Sequence, residues 1–352
     1  MEDMIKGNHV FAEAAIRAGA RFYAGYPITP STEIMEYLST RMDEVGGVFI
    51  QAESEGASMN MIFGAAASGV RCFTASSSVG MALKQEAICH IADNDLPFVA
   101  INVVRFGNGL GTLDTGQSDY LRDTRGGGAG DYRNFVLAPY SLPEAVELIG
   151  HAFDLGDKYG MGVILHTEAA LGQMMEPCGF PEMKTVERRF GCVDGTFSHE
   201  RISPLFRDRK SEAIEIKAKY LEIKEKEQLW ESEFLDDAEY VLVAYGMAGR
   251  SVIGAVMQLR EEGYKVGYIR PISLWPYPEK AFENVNPEVK GYISIEENAT
   301  GQMVDDIALT LKKTKQSNKP VYCMTYGYGI PTMKIIKEDF IKVVNGEIKE
   351  VY

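Results

Sequence analysis

Three polar side chains stand where apolar runs end, and each is of a type suited to the chemistry of a carboxylate-bearing substrate. Thr29, in "GYPITPST" (25–32), places a hydroxyl between two prolines that fix the backbone on either side. Locally it reads as an N-cap with Pro30 at the first helical position, a start that also turns a helix N-terminus toward an anion. Glu55, in "QAESEGASMN", stands where a strand gives way to a small-residue helix, and Glu53 has nearly the same claim. A carboxylate there complements the helix dipole, or works as an acid or base if its pocket tunes its proton affinity. Arg105 ends the apolar run of "FVAINVVRFGNG" and opens a glycine-rich loop. A guanidinium so placed grips a carboxylate or phosphate through two parallel bonds, or forms an ordinary structural salt bridge. A second stretch, "DTRGGGAGDYRN" (123–134), carries Arg125 and Arg133 and reads as a lid or a subunit contact.

These residues need a frame, and the sequence supplies a repeating one. Up to about residue 175, short β-rich runs alternate with helical stretches. "VFAEAAIRAGA", with Asn8 as N-cap and Gly19 as its stop, leads to strand "RFYAG". A helix through "TEIMEYLSTRM" follows, then strand "GVFIQ", helix "GASMNMIFGAAASG", strand "RCFTA", helix "GMALKQEAICHIA" and strand "PFVAINVV". A loop covers about 106–131, after which come "FVLAP", "LPEAVELIGHAFDLGDKY" and "GVILH". Alternation of this kind predicts right-handed crossovers and a doubly wound parallel α/β sheet. Residues 176–236 break the rhythm and contain a charged helical stretch, read as a solvated linker. From about 238 a smaller βα series begins, through "YVLVAYG", "GRSVIGAVMQLREEG", "KVGYIRP", "PEKAFENV", "GYISIEEN", "GQMVDDIALTLKK" and "PVYCMTYG". Each polar loop named above follows a strand, so all of them are expected at one carboxyl edge, where such folds bind ligands.

Composition removes several classes. The 352 residues are 45% hydrophobic and 24% charged, enough for two or three cores. A net charge of −14 argues against nucleic acid or an anionic membrane as the main partner. The five cysteines lack a C-x-x-C pair and read as reduced thiols rather than disulfides or a metal site. The N-terminal residues lack a signal-peptide pattern, and no apolar run reaches ~18 residues, so a cytoplasmic protein is expected. Neither G-x-G-x-x-G after the first strand nor G-x-x-x-x-G-K-[ST] occurs, which removes the main support for a nicotinamide or nucleoside triphosphate site.

Taken together, "YPITPST", "ESEGASMNMIFGAAASGVR", "FTASSS" and "LPFVAINVVR" resemble the N-terminal domain of the 2-oxoacid:ferredoxin oxidoreductases. The later "GMAGRS", "LREEGYKVGYIRPISLWPYP" and "ISIEENATGQM" resemble that family's transketolase-C-terminal-like domain. Within the family, "QAESEGASMN", "DYLRDTRGGGAGDYRNFVLAP" and "LGQMMEP" look most like alpha subunits of the 2-ketoisovalerate (3-methyl-2-oxobutanoate) enzymes, with those of the 2-oxoglutarate enzymes next.

The resemblance implies a pyrimidine-type thiamine-diphosphate-binding domain over 1–175, a linker with a charged helix over 176–236, and the second domain over 237–352. It implies oxidative decarboxylation of a 2-oxoacid to acyl-CoA with reduction of ferredoxin. Glu55, rather than Glu53, matches the family's cofactor-activating glutamate, since it precedes the small-residue helix. Thr29 matches the substrate threonine and Arg105 the carboxylate-binding arginine, while Tyr26 and Pro27 are expected beside the cofactor. Two departures matter: the chain lacks the G-D-G…N diphosphate and Mg²⁺ motif, and it lacks cluster-binding cysteine runs. The resemblance therefore implies thiamine diphosphate shared with a beta subunit, with Mg²⁺ and iron–sulfur clusters on partner chains (beta, gamma and a ferredoxin-like delta) and coenzyme A as co-substrate. The rival from another class is a non-catalytic scaffold that only recruits the thiamine-bearing chain. For the substrate, a 2-oxoglutarate enzyme needs a second cation for the distal carboxylate and a branched-chain enzyme an apolar pocket; Arg122, Arg125 and Arg133 each either supply that cation or face solvent.

Overall fold

The computed structural model describes residues 4–186, 209–314, 316–327 and 329–352. Part of the expected linker, 187–208, lies outside the described residues. The first half runs β1 (Met4–Lys6), α1 (Gly7–Arg17), β2 (Phe22–Gly25), α2 (Thr32–Glu44), β3 (Val48–Gln51), α3 (Glu55–Ala67), β4 (Cys72–Ser76), α4 (Ser78–Leu83), α5 (Gln85–Asp93) and β5 (Phe98–Val104). It continues through α6 (Tyr120–Arg125), β6 (Phe135–Leu137), α7 (Leu142–Tyr159), β7 (Gly162–Glu168), α8 (Ala169–Gln173) and β8 (Met175–Pro177). Buried, β-branched and aromatic strands such as "FVAINVV" and "GVILH" give a sheet covered on both faces.

Strands β6, β7, β5, β4, β2 and β3 are parallel neighbours in that order. From β2 the chain crosses to β3 on one side and then returns past β2 to β4. Right-handed crossovers in opposite directions put α2 and α3 on opposite faces. Accordingly α1 packs on α2 and α7, while α3 packs on α5. The reversal at β2 makes a crevice at the carboxyl ends of β2 and β4.

The second half runs α9 (Arg209–Lys226), β9 (Trp230–Glu233), β10 (Tyr240–Val243), α10 (Gly246–Glu261), β11 (Val266–Pro271), β12 (Ser273–Trp275), β13 (Gly291–Glu296), α11 (Val304–Leu311), β14 (Val321–Thr325) and α12 (Met333–Val344). Its sheet, β14-β13-β10-β11-β9, is parallel except for β9. Strand β12 leaves it to pair antiparallel with β6, as the seventh strand of the first sheet. Arg270, buried on β11, reinforces the join: two nitrogens reach Glu144 on α7 at 3.1 and 2.7 Å, and Nε reaches Glu231 on β9 at 2.8 Å.

Several local expectations are corrected. Asn8 lies inside α1, which begins at Gly7, and its amide donates to Pro30 O (2.7 Å) and Glu33 (2.8 Å) instead of capping. The stretch "GMALKQEAICHIA" breaks at Lys84 into α4 and α5. The loop over 106–131 contains α6, and "PEKAFENV" forms only a 3₁₀ turn, Glu279–Phe282. Helix α9 is docked rather than merely solvated: Ile223 is buried, Lys219 pairs with Asp95, and Lys280 reaches Glu225 from the second half.

Candidate active site

Three of the strand-end residues meet along four adjacent strands, β5, β4, β2 and β3. Glu55 opens α3 directly after β3, with Ser54 as its N-cap accepting from Ala57 N at 3.1 Å. Its side chain is only 7% exposed, and its carboxylate has no hydrogen-bond partner among the described residues. It lies over the first turn of α4 at Gly80, where a Cβ would stand 2.9 Å from Oε1. Glu53, by contrast, is exposed.

Arg105 follows β5 and is 4% exposed. Its Nη1 donates to Thr29 O at 2.8 Å, bridging the β5 and β2 loops across the end of β4. The Nε and Nη2 groups are buried without a partner, and no carboxylate pairs with the guanidinium among the described residues. A buried, unpaired guanidinium is costly. Its free donors fit the two oxygens of a carboxylate. Ser78 locks the backbone of Arg105 from both sides, its hydroxyl accepting from Arg105 N and donating to Arg105 O, each at 3.1 Å.

Thr29 is exposed at the crevice, and the reading of it as an N-cap is corrected. The Thr29–Pro30 peptide is cis, and α2 starts later, at Thr32, after Ser31. The turn is held from behind, because Pro30 O accepts from Asn8, and Glu33 collects Lys6, Asn8 and Gln173. Tyr26 and Pro27 precede it, the first 37% exposed and the second half-buried.

Sequence reasoning missed two groups at this edge. Ser76 and Ser77, at the carboxyl end of β4, bury hydroxyls that have no hydrogen-bond partner among the described residues. Lys84 is fully buried, and its Nζ donates to Glu55 O (3.3 Å), Thr74 Oγ1 (3.1 Å) and Ser58 Oγ. Burial pulls the Lys84 ammonium down to about 7, against the opposing pull of the Glu55 charge. A free carboxylate, two orphaned hydroxyls and a glycine-lined crevice fit an amine-bearing aromatic ring better than a purely apolar ligand.

The three further arginines are each engaged. Arg122 pairs with Asp119 (2.9 Å) and Asp123 (3.0 Å) and donates to Ser78 O at 2.6 Å. Arg125 pairs with Asp306 at 2.7 Å, and Arg133 donates to the carbonyls of Arg125 and Tyr132. Behind them, Asp123 also takes His166 Nδ1 at 2.8 Å. No helix among the described residues is long and apolar enough to cross a membrane.

Residues 13–233 match the thiamine-diphosphate-binding domain of pyruvate flavodoxin/ferredoxin oxidoreductases, and residues 238–335 match core domain II of pyruvate:ferredoxin oxidoreductase. The chain is 42% identical to the ketoisovalerate oxidoreductase subunit VorB of Methanothermobacter thermautotrophicus, over 87% of this chain and 89% of that protein. It is 32% identical to the 2-oxoglutarate synthase subunit KorA of Methanocaldococcus jannaschii, over 89% of this chain and 93% of that one. Among solved structures, the 2-oxoglutarate:ferredoxin oxidoreductase of Magnetococcus marinus superposes with a TM-score of 0.84 at 24% identity, covering 97% of this chain. The chain spans 65% of that longer chain, and the likeness is one of fold.

Proposed function

Because this chain belongs to the 2-oxoacid:ferredoxin oxidoreductase family, we propose that it is the alpha subunit of such an enzyme, contributing half of a thiamine-diphosphate site and acting on 2-ketoisovalerate. One observation carries the reading. A buried guanidinium with two free donors, Arg105, is tied to Thr29 at the carboxyl edge that also holds the unpartnered carboxylate of Glu55.

Thiamine diphosphate, when bound, supplies the carbanion chemistry by which a 2-oxoacid loses CO₂. Glu55, only 7% exposed, would hold the proton shared with the aminopyrimidine N1′ of the bound cofactor. Arg105 grips the substrate carboxylate through Nε and Nη2, and the Thr29 hydroxyl donates to the carboxylate or to the neighbouring 2-oxo oxygen. Tyr26 and Pro27 line the cofactor side. Mg²⁺ and the diphosphate belong to a beta subunit, iron–sulfur clusters to gamma and ferredoxin-like delta subunits, and coenzyme A is the acyl acceptor, in the cytoplasm. The same reading divides the chain at 1–175, 176–236 and 237–352, with β9 and β12 as the strands that cross the division.

The pairing of Arg122, Arg125 and Arg133 supports a branched-chain substrate over 2-oxoglutarate, since each is committed to acids or carbonyls of this chain. The experiment is Glu55→Ala in the assembled complex. Turnover is expected to fall by about 10²–10⁴-fold while the subunits still associate, and wild-type kcat/KM is expected to favour 2-ketoisovalerate over 2-oxoglutarate. Full activity in the variant would instead make the chain a scaffold.

A further inference from the structure

Lys84 is the buried titratable group that the mechanism above leaves unused. It sits at the break between α4 and α5, with no exposed surface. Its three N–H bonds all go to neutral oxygens: the Glu55 carbonyl and the Ser58 hydroxyl on α3, and the Thr74 hydroxyl on β4. The Ser58 hydroxyl passes its own proton to Glu55 O at 2.7 Å, so the ammonium and Ser58 together grip the peptide from which the Glu55 side chain springs. Among the described residues no carboxylate is hydrogen-bonded to the ammonium. The charged group that acts on it is Glu55 itself. The other cations near this edge face elsewhere: Arg105 on the β5 loop toward Thr29, and Arg122 on α6 toward Asp119, Asp123 and Ser78.

A methionine or leucine would fill such a space without the desolvation cost of an ammonium. An ammonium brings what they lack, a positive charge held behind one carboxylate in a medium of low dielectric. We propose that Lys84 is a positioning residue for Glu55, fixing the first turn of α3 with its three donors and holding a positive charge behind that residue. The proposal rests on the reading of Glu55 as the cofactor-facing acid. It adds no step of its own: Lys84 touches neither substrate nor cofactor, and its effect passes through Glu55. Its own proton affinity, lowered by burial into the neutral range, makes that effect pH-dependent.

The test is thiamine-diphosphate affinity of the assembled complex with Mg²⁺, by calorimetry from pH 5.5 to 8.5. Wild type, Glu55→Gln, Lys84→Met and the double variant are compared. The wild-type affinity is expected to show a pH transition that Glu55→Gln abolishes. Lys84→Met is expected to move that transition upward by about one pH unit, because a carboxylate deprived of a nearby cation holds its proton more tightly. In the Glu55→Gln background, Lys84→Met is expected to change nothing further. A Lys84→Met curve that superimposes on wild type overturns the proposal, as does a Lys84 effect that persists undiminished without the Glu55 carboxylate, which would mark a purely structural lysine. A Glu55→Gln curve identical to wild type overturns the reading of Glu55 itself, and the proposal with it. Should Lys84→Met fail to fold, Lys84→Gln carries the same comparison, since it keeps a neutral donor for Ser58 and Thr74 while removing the charge.

Discussion

Arg105→Met separates stability from function, with opposite signs. In wild type the guanidinium is 4% exposed and makes one side-chain hydrogen bond, 2.8 Å to Thr29 O, while Nε and Nη2 are buried unpaired. Each unsatisfied buried donor costs about 1–3 kcal/mol, so the two groups together cost about 2–6 kcal/mol. Methionine removes that cost and forfeits one hydrogen bond of about 1 kcal/mol, whose acceptor belongs to exposed Thr29 and returns to water. The variant should melt no lower than wild type, and a few degrees higher if the donors are dry. Substrate then tells the other half. Two charge-assisted bonds to the 2-oxoacid carboxylate are worth about 1.5–3 kcal/mol each, so kcat/KM should fall by about 10²–10⁴-fold. Arg105→Lys should recover only part of that loss, because a point charge cannot reproduce the fork. Thermal melts of the chain and steady-state kinetics of the complex check both halves. A variant that melts several degrees lower and keeps kcat/KM within a factor of two would refute the reasoning, since Arg105 would then be an ordinary structural cation.

Two further outcomes follow from buried contacts. Gly80→Ala would set a Cβ 2.9 Å from Glu55 Oε1, and closer still to Ser76 Oγ; it should cost about 1–3 kcal/mol of stability and weaken thiamine-diphosphate binding by the complex. Calorimetry showing unchanged affinity would mean that the carboxylate can be displaced harmlessly. Glu297, fully buried with neither oxygen hydrogen-bonded among the described residues and the Glu168 carboxyl nearby, has its proton affinity raised by burial first and by that neighbour second. A carboxyl raised in the folded state contributes fully below the ordinary carboxylate range and loses that contribution as pH rises toward its folded value. Glu297→Gln should therefore gain thermal stability relative to wild type as pH increases from 5 to 8. Parallel melting curves across that range would count against it.

The residues legible in the sequence share one property: their position is set by the strand just before them. Glu55 and Arg105 follow β3 and β5, whose apolar runs announce themselves, and the parallel order brings their ends to one edge. What was illegible depends on distant partners. Lys84 in "GMALKQEAICHIA" carries no local sign of its burial, because nothing nearby announces Ser58 and Thr74 as its acceptors. Arg122 reads as a free cation until Asp119 and Asp123 close on it. The departure of β12 to the other sheet is a tertiary choice: "SLW" has the same strand pattern in either place, and β6 happened to offer an open edge.

The second domain contributes none of the candidate catalytic groups, yet it governs one of them. The loop after Arg105 returns on itself, so that Thr115 pairs with Arg105 in an isolated antiparallel bridge and Phe106 N reaches Asp114 O at 2.9 Å. The next residues are clamped across the domain boundary. Gln117 N donates to Glu297 O at 2.6 Å, and its side chain accepts from Glu297 N at 3.1 Å while donating to Glu168 (2.8 Å) and Tyr245 O (3.1 Å). Arg105 is thus set by both halves of the chain, whereas Glu55 is set within the first sheet alone. That expenditure weighs against the scaffold reading. A surface that only recruits a partner gains nothing from burying an unpaired guanidinium, at a cost of about 2–6 kcal/mol, in a fold whose whole margin is about 5–15 kcal/mol. A carboxylate site does gain, because the cost is repaid when the anion arrives, and a preorganised fork then binds without having to reorganise.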